Sequence, residues 1–459
     1  MLVGKIALVN PAYDYPVTRG RKVLKWNRIW PPLDLANAAA LLERDGFEVA
    51  IVDANADRLG AEEVAARVRG YGKIFITSAA LDRWQCPHTD IKEFVGTVRA
   101  VKAANLQTKV YVMGPHGTSK PAEVWKMTKP DGIVVGEPEL AIVDICNGAR
   151  AAGVEGLYVE AGGRVSFTPR KTFLDLNKLP APAFHLLPME KYSYEILGDR
   201  FALFEASRGC PHSCTFCSAK QMYGPQYRIK LADRLIEEVE HAVKDFGVRN
   251  AYFIDLEFTM NNEANRANVE RLCDLLVERK LGLKWTCQTR VDTVERPLLR
   301  KMKEAGCGVI HFGVETGSER TMKSIDKRVT FAQVGEAVRA AEEAGIRTVA
   351  FFMFGLPGET EADMEETIEF AKRLNPTYAS FNVATPYPGT AFYESVKDSL
   401  EGVFPACYEG VLTAAELKDK TKEALLKFYL RPSYMLKQLS SGDLKRLKRQ
   451  AELFMNLLK

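Results

Sequence analysis

The sequence predicts an α/β fold of two successive units: a doubly wound parallel sheet, then an open, incomplete parallel barrel, with a helical extension after it. Three observations support this prediction. Short β-branched runs alternate with helical patterns from the start of the chain, the alternation breaks between about 150 and 200, and it then resumes. With 459 residues, the chain is long enough for two or three domains.

The first unit is predicted from five strand-like runs: KIALVN, EVAIVD, KIFITS, KVYVMG and GIVVGE. In doubly wound sheets, ligands bind beyond the carboxyl ends of the strands. Glycines at 114 and 117 would let the backbone approach a large planar or phosphate-bearing ligand, although plain turn glycines are an equal alternative. The first strand is not followed by G-x-G-x-x-G, which argues against a dinucleotide.

A proline-rich stretch at 160–188 predicts a short hairpin followed by a linker. Six further runs then alternate with helical patterns: FALFEAS, AYFID, LKWTCQT, VIHFGVE, TVAFFMFG and YASFNVA. Six repeats are fewer than the eight of a closed barrel, so a partial (β/α)6 barrel is expected. Residues 412–439 are amphipathic and predict a helical cap. The predicted domains are 1–150, 151–198 (hairpin and linker), 199–395 (barrel) and 396–459 (cap).

Composition excludes several classes of function. The net charge of +4 comes from 63 basic and 59 acidic residues that are well mixed, which argues against nucleic acid as the main partner. The basic run at 445–449 is expected to be a solvated helix face. No apolar run approaches the roughly 20 residues of a membrane span, and no signal-peptide pattern precedes KIALVN. Nine mostly scattered cysteines favour a reducing, cytoplasmic compartment, and a monomer is expected.

Three cysteines lie close together in ASRGCPHSCTFCSAK, residues 206–220. Cys210, Cys214 and Cys217 follow the first strand of the second unit directly, where a barrel carries its active site. Structural zinc usually takes four ligands from paired C-x-x-C elements, no second pair exists, and the spacing of His212 is too tight to complete the set. An iron-sulfur cubane usually takes four thiolates, so three would leave one iron open.

The spacing C-x-x-x-C-x-x-C, with Phe216 before the last cysteine, resembles the signature of radical S-adenosylmethionine (SAM) enzymes. The resemblance implies a 4Fe-4S cluster whose open iron binds SAM. One electron from the cluster then cleaves SAM to a 5'-deoxyadenosyl radical. It also implies an electron donor such as a flavodoxin, a ferredoxin or an artificial reductant.

Four further segments resemble SAM-binding segments of that family. FIDLEFT nominates Asp255 or Glu257 for the SAM amino group, with the choice between them left open. TCQTRVD nominates Arg290 for the SAM carboxylate, and HFGVETGS nominates Glu315 for the ribose. FGLPGET resembles the segment beside the adenine, which implies roles for Gly355 and Pro357.

The first unit resembles the N-terminal domain of cobalamin-binding radical SAM enzymes, in residues 28–55 and in the segments GPHGT and VVGEPE. Later segments of that subfamily are resembled by TPYPGTAFY and KFYLRPSYM. The Asp-x-His-x-x-Gly element is absent, so neither His88 nor His116 is assumed to bind cobalt. Asp82, Arg83 or Trp84 are candidates for shaping the lower face of the cobalt, and packing at the domain interface is an equal alternative for Trp84. Some relatives keep this domain without binding cobalamin. The residues implied in cobalamin binding are Asn10, Pro11, Ser78, Asp82, Arg83, Trp84, Gly114, Pro115, His116, Gly117, Thr118, Gly136 and Glu137.

The function that the resemblance implies is cobalamin-dependent radical SAM C-methylation. One SAM would methylate cob(I)alamin, a second would be cleaved, and the methyl group would pass to an unactivated carbon, for example of a peptide or protein side chain or of a small molecule. Tyr387, Tyr429 and Arg431 are candidates to face the substrate, with core packing as the alternative for the tyrosines. The remaining cysteines lack a C-x-x-C partner, so no auxiliary cluster is expected. Two other functions stay open: radical cyclisation, coupling or rearrangement, and a zinc-stabilised interaction protein.

Overall fold

The computed structural model describes residues 4–13 and 29–440; the predicted basic run at 445–449 lies outside them. The first sheet has the strand order β2-β1-β3-β4-β5-β6-β7. β1 to β5 are parallel, as predicted, whereas β6 and β7 are antiparallel. Its strands are β1 (Lys5–Asn10), β2 (Glu48–Asp53), β3 (Lys73–Thr77), β4 (Lys109–Met113), β5 (Gly132–Val134), β6 (Leu157–Ala161) and β7 (Arg164–Phe167).

The predicted hairpin therefore forms as β6 and β7, and it extends the edge of the first sheet because Val134 pairs with Leu157. Both faces of this sheet are covered, since alternate β1 residues enter different cores: Ala7 lies in one core and Leu8 in the other. The helices of this unit are α1 (Leu33–Arg44), α2 (Ala54–Asp57), α3 (Ala61–Arg67), α4 (Lys92–Ala104), α5 (Pro115–Ser119), α6 (Pro121–Thr128) and α7 (Glu139–Cys146).

The second unit is the predicted open barrel. Its sheet has the order β10-β13-β14-β15-β16-β17, all parallel. Two short antiparallel pairs, β8 with β9 and β11 with β12, accompany it. The strands are β8 (Ser193–Tyr194), β9 (Gly198–Asp199), β10 (Phe201–Phe204), β11 (Ser207–Arg208), β12 (Arg228–Ile229), β13 (Asn250–Phe253), β14 (Lys284–Thr289), β15 (Cys307–Glu315), β16 (Arg347–Phe354) and β17 (Tyr378–Val383).

The helices of the second unit alternate with its strands, and the predicted C-terminal helices follow. In the described part of the chain, every helix is too short or too polar to cross a membrane. These helices are α8 (Ala219–Tyr223), α9 (Ala232–Phe246), α10 (Glu263–Glu278), α11 (Arg296–Glu304), α12 (Glu319–Ser324), α13 (Phe331–Glu343), α14 (Glu361–Leu374), α15 (Ala391–Val396), α16 (Ala414–Tyr429) and α17 (Pro432–Ser440).

The carboxyl end of the first sheet meets the loops at the carboxyl end of the barrel. Gln85, beyond β3, accepts a hydrogen bond at its backbone oxygen from Ser218 Oγ (3.1 Å) and at its side-chain Oε1 from Gln288 Nε2 (3.0 Å). Helix α5 also contacts helix α8. The two edges at which parallel sheets bind ligands therefore face a common space.

Gly306, between α11 and β15, is a position that accepts only glycine. It has φ +100°, and a Cβ there would lie 2.2 Å from the carbonyl oxygen of Leu283. We expect Gly306→Ala to destabilise the protein by about 1–3 kcal/mol through this clash, in addition to the cost of a left-handed alanine. Gly282→Ala is the matched control, since Gly282 also has a positive φ (+62°) but nothing within 4 Å of its missing Cβ. Thermal unfolding should show a clearly larger fall in Tm for Gly306→Ala, and equal falls would contradict the packing argument.

Candidate functional site

The cysteine loop starts from a turn that requires glycine. Gly209 has φ +91°, and a Cβ there would lie 2.0 Å from the carbonyl oxygen of Gln226. Cys210, Cys214 and Cys217 follow, all free and half-buried. The loop is held from both sides, because Thr215 N donates to Ile325 O (3.0 Å) and Thr215 O accepts from Phe392 N (2.9 Å). Phe216, the aromatic residue of the motif, packs against the main core.

Burial controls the protonation of these three thiols. It raises the pKa of Cys217 to about 11 and also raises the pKa of Cys210 and of Cys214. Lys327 and Arg290 act in the opposite direction on Cys214. Thiolates, not thiols, bind iron, so nearby cations favour the ligated form. Three free thiols on one loop beside two cations therefore fit a metal cluster with three cysteine ligands.

Asp255 and Glu257, both buried beyond β13, have different surroundings. Asp255 is bonded within the protein, because its carboxylate accepts hydrogen bonds from Ser207 Oγ and from Ala206 N. Burial raises its pKa to about 7. Glu257 Oε1 lies 3.1 Å from Cys210 Sγ and 3.3 Å from His212 Nε2. Its other oxygen, Oε2, is buried and has no hydrogen-bond partner among the described residues. Glu257 is thus the carboxylate that can accept a further donor next to the cysteine loop.

The two other predicted charged residues of the barrel already hold ion pairs. Arg290 donates to both carboxylate oxygens of Asp292 (2.8 and 2.9 Å) and to Lys327 O (2.9 Å). Glu315 accepts from Lys327 Nζ at 2.6 Å. Although burial alone lowers the pKa of Lys327, Glu315 and Cys214 raise it above its ordinary value. Both pairs lie within electrostatic range of Cys214, so the structure brings Arg290 and Glu315 to the cysteine loop.

The predicted adenine segment is a tight loop after β16. Gly355 has φ +89° and, with Leu356, donates its backbone N–H to Glu359 Oε2 (2.7 and 3.2 Å). Pro357 is half-buried in the same loop. Leu417 occupies the position that a side chain at Gly355 would take, since its Cδ1 would lie 3.1 Å from a Cβ.

His116 is held inside the first unit. Its Nδ1 lies 2.9 Å from Ser78 Oγ and its Nε2 lies 2.6 Å from the carbonyl oxygen of His88. Because a carbonyl oxygen only accepts, Nε2 carries the proton and Nδ1 accepts from Ser78. Burial lowers the pKa of His116 to about 4. Both ring nitrogens of His116 are therefore engaged by groups of the protein itself.

Gly114 and Gly117, for which ligand approach and plain turns are equal alternatives in the sequence, are both tightly packed against other parts of the protein. A Cβ at Gly114 would lie 2.8 Å from Ser78 Oγ, and one at Gly117 would lie 2.7 Å from Ile133 Cγ2. The protein itself fills both spaces, so these glycines serve packing between β3, β4 and β5.

Glu137 does not face a ligand, which corrects one expectation. It is buried and accepts from Arg208 (3.3 Å) and from Arg228 of the barrel. Arg208 also bonds Glu139 (2.6 Å) and Glu205 (2.8 Å). The carboxylate of Glu137 thus belongs to a buried ionic network between the two units.

Trp84 packs at the same interface, as one of the two alternatives predicted. It is fully buried, its ring lies 5.3 Å from that of Tyr223, and the guanidinium of Arg208 lies 5.8 Å from its ring centre. Its neighbours Asp82 and Arg83 pair with each other (3.4 Å).

The remaining predicted residues of the first unit lie at the same carboxyl edge. Asn10 bonds Asp53 (2.9 Å) and Tyr13 (2.8 Å), and Pro11 is buried directly after it. Thr118 accepts from the backbone N–H of Gly136 (2.9 Å). These contacts order the strand ends of the first sheet.

A cavity lies between the two units. Burial raises the pKa of Tyr387, one of its lining residues, and the charges of Arg83 and Cys217 also act on that phenol. Tyr387 therefore lies near both the loop after β3 and the cysteine loop. Other residues lining the cavity are Trp84, His88, Pro115, His116, Ser218 and Phe404.

Tyr429 and Arg431 do not face this cavity, which corrects a second expectation. The hydroxyl of Tyr429 bonds the backbone N–H and carbonyl of Ala379 (3.0 and 2.9 Å), near the amino end of β17. Arg431 bonds Asn375 (3.0 Å), in the turn before β17. Both residues anchor α16 and α17 at the end of the barrel opposite to the cysteines.

Sequence reasoning missed two sets of residues. Lys327 gives no local signal, since its partner Glu315 is brought to it by the fold. Arg208 and Glu205 did give a local signal. Oppositely charged residues three positions apart at the end of an apolar strand indicate a buried ion pair.

Two family models match the chain. Residues 204–371 match the Radical SAM superfamily, and residues 23–145 match the B12 binding domain. These ranges contain the cysteine loop and most of the carboxyl edge of the first sheet.

Individual proteins match most of the chain. An uncharacterized methyltransferase of Pyrococcus horikoshii is 31% identical over 96% of this chain and 95% of its own length. The anaerobic magnesium-protoporphyrin IX monomethyl ester cyclase of Rubrivivax gelatinosus is 27% identical over 88% of this chain and 75% of its own. A solved radical SAM methyltransferase from Kitasatospora setae, with cobalamin and a 4Fe-4S cluster bound, shares the fold. Its TM-score is 0.67 at 19% identity, over 87% of this chain and 75% of that one.

The environment of His116 predicts a pH effect on stability. Its folded pKa of about 4 lies below its ordinary value of 6.5, so its contribution is complete above pH 6.5 and is lost as the pH falls toward 4. We expect His116→Gln to remove up to about 3 kcal/mol of this pH dependence, measured as the wild-type-minus-variant difference in unfolding free energy from pH 7 to pH 4. His241→Gln, at an exposed histidine of α9, is the control. A difference that stays constant across this range would contradict the assignment of His116 as a buried neutral imidazole.

Proposed function

The chain belongs to the cobalamin-dependent radical SAM methyltransferases, and on that premise we propose that it transfers a methyl group to an unactivated carbon of its substrate. Its cofactors are a 4Fe-4S cluster, SAM and cobalamin. One observation supports the proposal above the others: Ser218, which directly follows Cys217, lines a cavity together with Trp84, Pro115 and His116 from the carboxyl edge of the first sheet.

When bound, the cluster with SAM supplies a carbon radical that abstracts hydrogen, and cobalamin supplies the methyl group. We assign the iron ligands to Cys210, Cys214 and Cys217. Among the barrel carboxylates, Glu257 is our candidate for the SAM ammonium group, because its buried Oε2 lacks a partner beside the loop. Asp255 instead accepts from the backbone N–H of Ala206 and the hydroxyl of Ser207, at the start of the loop.

Arg290 and Glu315 would meet SAM while still held by their present partners. Arg290 has its guanidinium fixed by Asp292, and Glu315 has its carboxylate fixed by Lys327. Side chains that are already ordered lose little freedom when a ligand binds, which favours precise orientation of the cofactor.

The boundary between the two units, where this cavity lies, is our candidate for the place where cobalamin and substrate meet. The lining of the cavity combines apolar and polar groups, and Tyr387 lies beside both units. Closure of the cavity by the two units would exclude water from a reactive radical. The mixed lining suits a peptide or protein side chain, which we propose as the substrate class.

A second candidate function is radical cyclisation without methyl transfer. It is favoured by the match to a protein named a magnesium-protoporphyrin IX monomethyl ester cyclase. The mass of the product distinguishes the two functions, because methylation adds one carbon to the substrate and cyclisation adds none.

We further propose a cytoplasmic location and an external one-electron donor such as a flavodoxin or a ferredoxin. All nine cysteines lie in the described residues and none forms a disulfide there, which suits a reducing compartment.

The cluster assignment predicts an iron content. Anaerobically reconstituted protein should hold about four irons per chain, and Cys214→Ala should hold much less. Cys407→Ala is the matched control, because Cys407 is also free and half-buried but lies outside the loop. Metal analysis with an ultraviolet-visible spectrum measures iron and retained cobalamin together. Iron without cobalamin would favour the second candidate function, and equal iron in both variants would refute the cysteine assignment.

The carboxylate assignment predicts a difference between two conservative variants. Glu257→Gln should weaken SAM binding roughly 10- to 100-fold, the value of one charge-assisted hydrogen bond, with the iron content unchanged. Asp255→Asn should lower Tm instead and leave the Kd for SAM near that of the wild type. Equilibrium dialysis with labelled SAM measures both, with Glu263→Gln at the start of α10 as a surface control. The reverse pattern would assign the SAM ammonium to Asp255.

A further inference from the structure

We propose that Arg208 is a positioning residue that fixes the cysteine loop against the carboxyl edge of the first sheet, and so sets the separation between the cluster and cobalamin. This inference rests on the proposed function. Arg208 lies on β11, two residues before Cys210, and its side chain is fully buried.

The guanidinium of Arg208 joins groups from both units. It donates from Nε to Glu205 of the barrel (2.8 Å), and from its two terminal nitrogens to Glu137 (3.3 Å) and Glu139 (2.6 Å) of the first unit. Glu137 directly follows Gly136 beyond β5, and Glu139 begins α7. One planar cation therefore holds the β5–α7 loop and the start of the cysteine loop in a fixed relation.

A second arginine strengthens this relation. Arg228 lies opposite Arg208 in the β11–β12 pair and also donates to both oxygens of Glu137. It donates in addition to the carbonyl oxygen of Tyr223, at the end of α8 (3.1 Å). Helix α8 starts just after Cys217, so Arg208 and Arg228 hold both ends of the cysteine loop.

The network also reaches a third loop. The indole of Trp84, from the loop after β3, lies under Arg208 and against Tyr223. The loop after β3, which borders the cavity, and the β5–α7 loop thus both contact the guanidinium of Arg208. A shift of the cysteine loop relative to the first sheet would separate Glu139 from Arg208 and leave Glu137 with Arg228 alone.

A direct test measures the distance between the two metal centres. In holoenzyme reduced to the paramagnetic cluster with cob(II)alamin, pulsed electron paramagnetic resonance reports their dipolar coupling, which falls with the cube of the distance. Arg208→Lys keeps the positive charge but loses the planar guanidinium that bonds three carboxylates. We expect this variant to shift or broaden the dipolar coupling between the two metal centres while its iron content stays at the wild-type value. The matched control is Glu238→Gln, since the buried pair of Lys230 with Glu238 (2.8 Å) lies within the barrel alone.

Hydrogen exchange of the protein supplies a second readout. Arg208→Lys should raise exchange several-fold at 81–84 and at 209–217 together, whereas Glu238→Gln should raise it in the barrel only. Should Arg208→Lys fail to fold, Glu139→Gln weakens the same network from the first unit and leaves the cysteine loop unchanged in sequence.

The outcomes separate this inference from the proposed function. Wild-type coupling in both Arg208→Lys and Glu139→Gln would overturn the positioning role, whatever product the enzyme makes. Altered coupling in these variants, together with a wild-type enzyme that transfers no labelled methyl from SAM, would support the positioning role and refute the methyltransferase proposal.

Discussion

The relation between the two units depends on a buried charge, the guanidinium of Arg208 among Glu137, Glu139 and Glu205. Removing ions from water costs several kcal/mol each unless they are paired, and breaking one partner of a buried pair typically costs about 3–5 kcal/mol. The units therefore have little freedom to slide or rotate, because any such motion would strand a carboxylate without water or a partner. The facing of the two carboxyl edges, and thus the shared cavity, follows from this pairing.

A network of this kind contributes more to geometry than to stability. Apolar residues of similar volume often stabilise a protein as well as a buried ion pair does, but they lack its directional bonds. Two sites on separate units must be held to a fraction of an ångström when a reactive group passes between them. The short pair β11–β12 places both arginines on Glu137, and the cysteine loop starts from that pair. The same contacts that fix the interface therefore also order the loop.

Local patterns in the sequence predicted the elements, and long-range contacts decided the roles of single residues. The strands were predictable because β-branched runs alternate with amphipathic helices, and the three cysteines because their spacing is local. The ionic role of Glu137 could not be predicted from local sequence, because its partners Arg208 and Arg228 lie more than 70 positions further along the chain. The packing of Gly114 was likewise not predictable from local sequence, because Ser78, which fills the space beside it, directly follows a different strand, β3. Tyr429 has aromatic neighbours in sequence, but only the docking of α16 decides which end of the barrel it meets.

Strain at the end of β15 shows that the electrostatics of the cysteine loop are built into the backbone. Glu315 has φ +72°, which costs a residue other than glycine about 1–3 kcal/mol, and the strand shifts register at this point. This conformation brings its carboxylate to Lys327. A side chain at Gly313 would displace this ion pair, because a Cβ there would lie 2.4 Å from Glu315 Oε1 and 2.8 Å from Lys327 Nζ. Buried beside Cys214, Lys327 lowers the cost of a thiolate. A relaxed strand end would free Glu315 from this position and leave a buried ammonium without its partner. The strained backbone is therefore part of what makes the loop suitable for a negatively charged cluster.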